Sequence, residues 1–268
     1  MEKMKVCLLL LALACALPIG AKPCDSTDVS TSSNIIHTQW YSHTEQLSRR
    51  VDIYIPRGYC SDDTLPALYL IHGINGYEGS WEEKGSATDT LEKLIADGRC
   101  QPMMLVMPDC NKWPYKERPD HKGNLWRCLM RYHRLSHEHE IEHAISDLMD
   151  MMDTTYHVST CAIAGLSDGA RMAANVANVR PDRICAVGLF SPVLHREQLP
   201  DTTGITPRVR SSLCPYHVYV GTKDIFSGNG RRYYKRLCRR NDQARLVELP
   251  ENHTWRMWRQ CLSDFLMQ

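Results

Sequence analysis

Three side chains in this sequence have the types and the order that nucleophilic acyl chemistry needs. Ser167 lies in Gly165-Leu166-Ser167-Asp168-Gly169, between the apolar run Cys161 to Ala164 and a small-residue stretch carrying Ala170, Ala173, Ala174 and Ala177. A serine lifted above the end of a sheet needs a tight, strained turn from strand to helix. Side chains two positions either side of it would strike the neighbouring strand and helix, so glycine stands at both places. A serine hydroxyl is a weak nucleophile at neutral pH and needs a base within hydrogen-bond reach, itself oriented by a third group. Asp224 follows the apolar run Tyr216 to Val220 through Gly221-Thr222-Lys223, and His253 follows Leu249 through Pro250-Glu251-Asn252. Both stand at the carboxyl ends of predicted strands, the edge where Ser167 also lies. Asp201, in a Pro/Thr/Gly loop, and Asp242, at a helix end, are the competing acids.

The elements that would position these residues alternate strand and helix. Thr38 to Tyr59 has Val51, Ile53 and Ile55 on one face and reads as an amino-terminal antiparallel β-meander. Leu65 to Ile71 and Met103 to Met107 are nearly continuous apolar runs, the pattern of strands covered on both faces. A helix is predicted over Thr88 to Ala96, another over Glu138 to Thr154 with Ile141, Ile145, Leu148 and Met152 on one stripe. Further strands fall at Ile184 to Phe190, Tyr216 to Val220 and Arg245 to Leu249, with helices near Gly230 to Arg240 and from Thr254. This alternation predicts an α/β fold, a doubly wound, mostly parallel sheet with helices on both faces, and the order serine, acid, histidine is that of α/β-hydrolases. Asn111 to His137 is polar, aromatic and without period, too long for a passive connection, and reads as a lid or substrate-binding loop with Trp113 as a contact residue.

The segments Leu70-Ile71-His72-Gly73, Val106-Met107-Pro108-Asp109, Gly165-Leu166-Ser167-Asp168-Gly169, Gly221-Thr222-Lys223-Asp224 and His253-Thr254-Trp255-x-x-Trp258 resemble the esterase D family. That family includes feruloyl esterases, S-formylglutathione hydrolases and mycolyltransferases. The resemblance spans roughly residues 38 to 266 and its most discriminating part is the His-x-Trp-x-x-Trp ending. It implies Ser167 as nucleophile, Asp224 as orienting acid and His253 as general base. Backbone N–H groups of Ile74 and Asp168 would hold the oxyanion, Trp255 would contact substrate, and no cofactor is needed. Two positions depart from the family: Asp168 stands where Met or Gln is common, and Ala170 where a second glycine is. Position 168 lies beside the reacting acyl group. Its carboxylate is expected either to serve the first turn of the helix or to point to the pocket mouth and tune substrate choice.

A rival motif is His139-Glu140-Ile141-Glu142-His143, which satisfies His-Glu-x-x-His, the zinc metalloprotease helix. At about 100° per residue both histidines point away from the apolar stripe of that helix, and no third ligand is recognisable, so no metal site is expected.

Residues 1–21 read as a secretory signal: Lys3 and Lys5, the apolar run Val6 to Leu17, and Ala21 ending the cleavage site. Lipoprotein processing, giving a lipid anchor at Cys15, is the alternative, although Ala12-Leu13-Ala14 lacks the usual leucine placement. Residues 22–37 form a polar leader and 38–268 a single domain. Without the signal, 30 basic face 30 acidic side chains, which excludes a nucleic-acid partner, and the apolar run is too short for a membrane span. Ten of the twelve cysteines remain in an exported chain, so some disulfides are expected, with Cys161 and Cys185 as packed thiols inside apolar strands. The expected activity is release of feruloyl or acetyl groups from plant-type carbohydrate; the alternatives are acyl transfer to a sugar hydroxyl, or a silent carbohydrate-binding relative.

Overall fold

The computed structural model describes residues 35–111, 138–194 and 214–268. The elements run β1 (Ile35–Ser42), β2 (Leu47–Tyr54), β3 (Ala67–Ile71), α1 (Ser80–Glu83), α2 (Ala87–Ala96), β4 (Met104–Pro108), α3 (Glu138–Tyr156), β5 (Cys161–Leu166), α4 (Asp168–Val179), β6 (Ile184–Phe190), β7 (Tyr216–Gly221), α5 (Ser227–Leu237), β8 (Ala244–Leu249) and α6 (Trp255–Phe265). The strands form one sheet in the order β1-β2-β4-β3-β5-β6-β7-β8. β1 and β2 pair antiparallel, as do β2 and β4; every pair from β4 to β8 is parallel. This is the α/β-hydrolase architecture, with the expected meander realised as the β1–β2 hairpin.

Alternation along the buried strands splits the core in two. Tyr69 and Ile71 of β3 and Val218 and Val220 of β7 pack under α3, α4 and α5, through Ile145, Leu148, Ala173 and Tyr233. Leu68, Leu70 and Tyr219 face the other way, onto Leu91 and Leu94 of α2 and Trp258, Cys261 and Leu262 of α6. β3, β4 and β7 are buried along their whole length, the cause of their nearly continuous apolar runs, broken only by His217 in β7. Strand order reverses around β3: its chain leaves toward β4, while β5 leads on to β6 on the opposite side. A crevice therefore opens between the carboxyl ends of β3 and β5.

Some boundaries differ from those read in the sequence. β1 starts at Ile35, inside the stretch assigned to the leader. α5 starts at Ser227 rather than near Gly230, because Gly230 packs against β7: a Cβ there would lie 2.9 Å from Val220 Cγ2, so close contact outweighs the low helix propensity of glycine. Cys161 is buried, but Cys185 is exposed rather than packed. Cys100, Cys110, Cys161, Cys214, Cys238 and Cys261 are free thiols, so the expected disulfides do not involve them. Burial pushes the Cys161 thiol up to about 11, in keeping with an inert packed group. The predicted signal, Cys15, most of the predicted lid with Trp113, and Asp201 lie outside the described residues. Among the described residues no helix is long and apolar enough to cross a membrane.

Candidate active site

β5 ends at Leu166 and α4 begins at Asp168, so the whole reversal is made by Ser167, at φ +55° and ψ −115°. A non-glycine residue in that region is strained, and it persists only where its surroundings over-determine it. The two glycines supply that constraint. A Cβ at Gly165 would stand 2.2 Å from the Gly169 carbonyl oxygen, and one at Gly169 would stand 2.3 Å from the His72 carbonyl oxygen. No side chain fits at either place, and their absence lets β3, β5 and α4 close around the serine.

Three loops from three strand ends meet at Ser167. His253, after β8, has Nε2 3.0 Å from Ser167 Oγ and Nδ1 2.8 Å from Asp224 Oδ2. Asp224, after β7, accepts the Phe226 backbone N–H on its other oxygen at 2.8 Å. Burial would raise the Asp224 carboxyl, but hydrogen bonds from His253 and the Phe226 N–H outweigh it, and the carboxyl lies below its ordinary value. Asp224 is therefore an anion whose second oxygen is already committed, which fixes the face it shows to the imidazole. With Nδ1–H donating to that anion, Nε2 carries the lone pair that faces the serine hydroxyl. Asp242 sits in the turn before β8, at the opposite edge of the sheet.

The backbone of residues 72–76 is tied down at the end of β3. The Cys110 N–H donates to His72 Nε2 at 3.0 Å, so the neutral ring carries its proton on Nδ1, 2.8 Å from the Gly73 carbonyl. Asn111 donates its side-chain amide to the Gly76 carbonyl at 2.6 Å and its backbone N–H to Asp109 at 3.1 Å. Arg49, buried on β2, donates to the carbonyls of Asp109 and Asn111 at 3.2 and 2.6 Å. Against the opposing effect of burial, nearby His72, its Nε2 3.6 Å away, and hydrogen bonds from Asn111 bring the Asp109 carboxyl down to about 2. The loop carrying Ile74 is thereby held beside the start of α4, where the Asp168 N–H is one of the first-turn donors that a helix leaves unpaired within itself.

The Asp168 side chain corrects one expectation. It does not point to the pocket mouth: it is buried, and Oδ1 accepts Arg171 Nε at 2.9 Å from an equally buried guanidinium. The signal was present, since Asp and Arg three residues apart share a helix face. Trp255 is also less free than a substrate platform would be. It stands edge-on between Trp81, with centroids 5.3 Å apart, and Trp258, 5.2 Å apart.

Sequence reasoning missed Ser191 and Phe226 behind the histidine, and gave Trp258 a place in the His-x-Trp-x-x-Trp ending but no role. Trp258 is edge-on to His253 at 5.1 Å and donates its indole N–H to Ser191 Oγ at 3.1 Å. Ser191, after β6 and at φ +48°, donates to Met257 Sδ at 3.2 Å, and its hydroxyl dipole helps hold the Asp224 carboxyl down. Phe226 stands edge-on to His253 from the other side at 5.1 Å. His143 of the rival zinc motif is exposed, as its helix phase required, while Glu142 is buried and bonded by Asn175. The side chains of His139 and Glu140 lie outside the described residues, and among the described residues no three His, Cys, Asp or Glu side chains could hold a metal ion.

The family model described as "Putative esterase" matches residues 42–264. An endo-1,4-beta-xylanase/feruloyl esterase of Xylanibacter ruminicola is 33% identical over 79 residues, 28% of this chain and 11% of that protein, so the chain spans only a small part of the curated relative's length. A ferulic acid esterase from Anaeromyces mucronatus, solved with ferulic acid, superposes with a TM-score of 0.68 at 20% identity, covering 92% of this chain and 96% of that one. The feruloyl esterase module from Clostridium thermocellum, complexed with sinapinate, gives 0.68 at 12% identity over 93% of each chain. At these identities the structural likeness establishes the shared fold.

Proposed function

The chain belongs to the esterase family, and on that premise we propose that it is an exported serine carboxylic-ester hydrolase releasing feruloyl or acetyl groups from plant-type carbohydrate. The observation that carries the reading is the unbroken hydrogen-bonded line from Ser167 through His253 to Asp224. Ser167 Oγ attacks the ester carbonyl while His253 Nε2 takes its proton. The negative oxygen that forms is held by the N–H groups of Ile74 and Asp168, and Asp224 stabilises the imidazolium. His253 then gives the proton to the departing sugar oxygen, leaving an acyl group on Ser167. Water, deprotonated by the same imidazole, releases the acid.

The amino-terminal basic and apolar run supports export, and the feruloyl esterase relatives support the substrate class. The test is product analysis on feruloylated and acetylated xylo-oligosaccharides, with and without an added sugar acceptor. Free acid released by the wild type and not by Ser167→Ala is the expected result. Acyl transfer to the acceptor in place of free acid would make the protein a transferase. Turnover by Ser167→Ala would overturn the reading.

A further inference from the structure

On the outer side of the loop that carries Ile74, the β1–β2 hairpin and Glu78 enclose an open cavity of about 620 Å³. His37, Thr38, Gln39, Arg50, Asp52 and Glu78 line it, and every one of these side chains is polar. Aromatic acids and acyl chains are held by mostly apolar walls, so this cavity suits neither. Arg50 ion-pairs with Glu78 at 3.0 Å, and Asp52 meets His37 at 2.6 Å. Arg50 offsets one of the two carboxylates and His37 faces the other, so the lining carries no surplus of positive charge, which disfavours an anionic ligand. It nevertheless offers both acceptors and donors. Glu78 Oε1 is taken by Arg50, while Oε2 is buried with no hydrogen-bond partner, an arrangement whose cost a donor from outside would relieve. His37 and Gln39 are exposed on one face of β1. Tyr41, two residues further along that face, is one of the few large apolar side chains left in solvent among the described residues. Interleaved donors and acceptors beside an exposed aromatic face match a sugar ring, which is hydroxylated around its edge and carries C–H groups on its face.

The position is also informative. Arg50 reaches Asp109 at the carboxyl end of β4, so the cavity opens at the edge of the sheet that bears Ser167. From β2 to β5 are three strand spacings, about 14 Å. That is too far for one sugar to fill the cavity while its own ester sits at Ser167, but short enough for a chain of sugars to bridge. We propose that the cavity between the β1–β2 hairpin and Glu78 is a second binding site, which takes a neutral oligosaccharide chain whose neighbouring residue presents the ester to Ser167. This inference rests on the esterase reading for its role in catalysis, but not for the binding itself.

The test uses the full chain and unesterified xylohexaose, titrated by NMR chemical shift and by calorimetry. Saturable binding is expected, weakened about fivefold by either His37→Ala or Gln39→Ala, as loss of one hydrogen bond would do, and more by Tyr41→Ala. These side chains are exposed, so the variants should fold, and circular dichroism checks it. In ester hydrolysis the same variants should raise KM for a feruloylated xylo-oligosaccharide relative to methyl ferulate, with little change in kcat. No saturable binding, or binding indifferent to all three variants, overturns the proposal. Because the titration involves no ester, it decides the site even if Ser167→Ala retains hydrolysis and the esterase reading falls.

Discussion

Asp168 and Arg171 form a buried ion pair directly beneath the start of α4, Oδ1 to Nε at 2.9 Å, with Asp168 Oδ2 buried and unbonded. A carboxylate here would oppose the negative charge that develops on the substrate oxygen. The guanidinium, covalently one helical turn away, cancels most of that field. Arg171→Met should therefore lower kcat about tenfold or more and destabilise the protein by about 3–5 kcal/mol, since it leaves a buried charge alone. Asp168→Asn in the same chain should restore much of both. Because the Asp168 side chain is turned inward, Asp168→Asn by itself should leave the ratio of kcat/KM between neutral and anionic esters unchanged. Steady-state kinetics on two such substrates, with thermal melts of the wild type and the three variants, checks this.

The line of Ser167, His253 and Asp224 predicts a steep and selective loss. Ser167→Ala should abolish turnover of short aryl esters while leaving the melt intact, and a fluorophosphonate should label Ser167 alone. Asp224→Asn should cost on the order of 10⁴ in kcat, because the amide no longer holds the imidazole in the required tautomer. Asp242→Asn, changed at the far edge of the sheet, should be silent. Equal losses at positions 224 and 242 would remove the assignment.

Asp109 makes the protein acid-sensitive in a predictable window. Its carboxyl is held at about 2 in the folded chain against an ordinary 3.8. A folded value below the unfolded one means that the stabilisation is complete above the unfolded value and drains away as pH falls through the folded one. About 2 kcal/mol is thus present at neutral pH and lost between roughly pH 4 and pH 2. Asp109→Asn should lower stability at pH 7 by about that amount and flatten the acid limb of a urea-melt series over the same interval. An unchanged limb would mean that another carboxylate carries the acid transition.

The legible part of this site was the part that leaves a local mark in the chain. Gly165 and Gly169 are dictated by contacts of 2.2 and 2.3 Å that no other residue survives, so the elbow announces itself in five letters. Asp224 follows β7, a strand buried along its whole length, and His253 follows β8, an edge strand that is only partly buried but ends in the turn signal Pro250-Glu251-Asn252. Trp81 and Ser191 left no such mark, and Trp258 stood in the His-x-Trp-x-x-Trp ending without showing what it holds. Their contacts join residues separated by more than sixty positions, and each alone reads as an ordinary core aromatic or a loop serine. For Asp168 the sequence left the first helical turn and the pocket mouth both open, and the arginine one turn on draws the carboxylate into the interior.

That hidden group supports the last prediction. Trp258 donates to Ser191 Oγ at 3.1 Å. The Ser191 hydroxyl has one proton and two nearby acceptors, Met257 Sδ at 3.2 Å and the Asp224 carboxylate. A carboxylate is the stronger acceptor, so the hydroxyl dipole favours the Asp224 anion, and the indole N–H occupies a lone pair of that hydroxyl. The chain Trp258, Ser191, Asp224 then holds the acid from behind while the indole ring holds the imidazole edge-on. Ser191→Ala and Trp258→Phe each break this chain, the second while keeping an aromatic ring beside His253. Each should lower kcat about tenfold with KM little changed, as expected for groups that position the base and touch no substrate. Because both act through one hydrogen-bonded line, the double variant should be little worse than the poorer single one. Multiplicative losses in a double-mutant cycle would show two independent roles instead, and unchanged kcat in Ser191→Ala would remove Ser191 from the site.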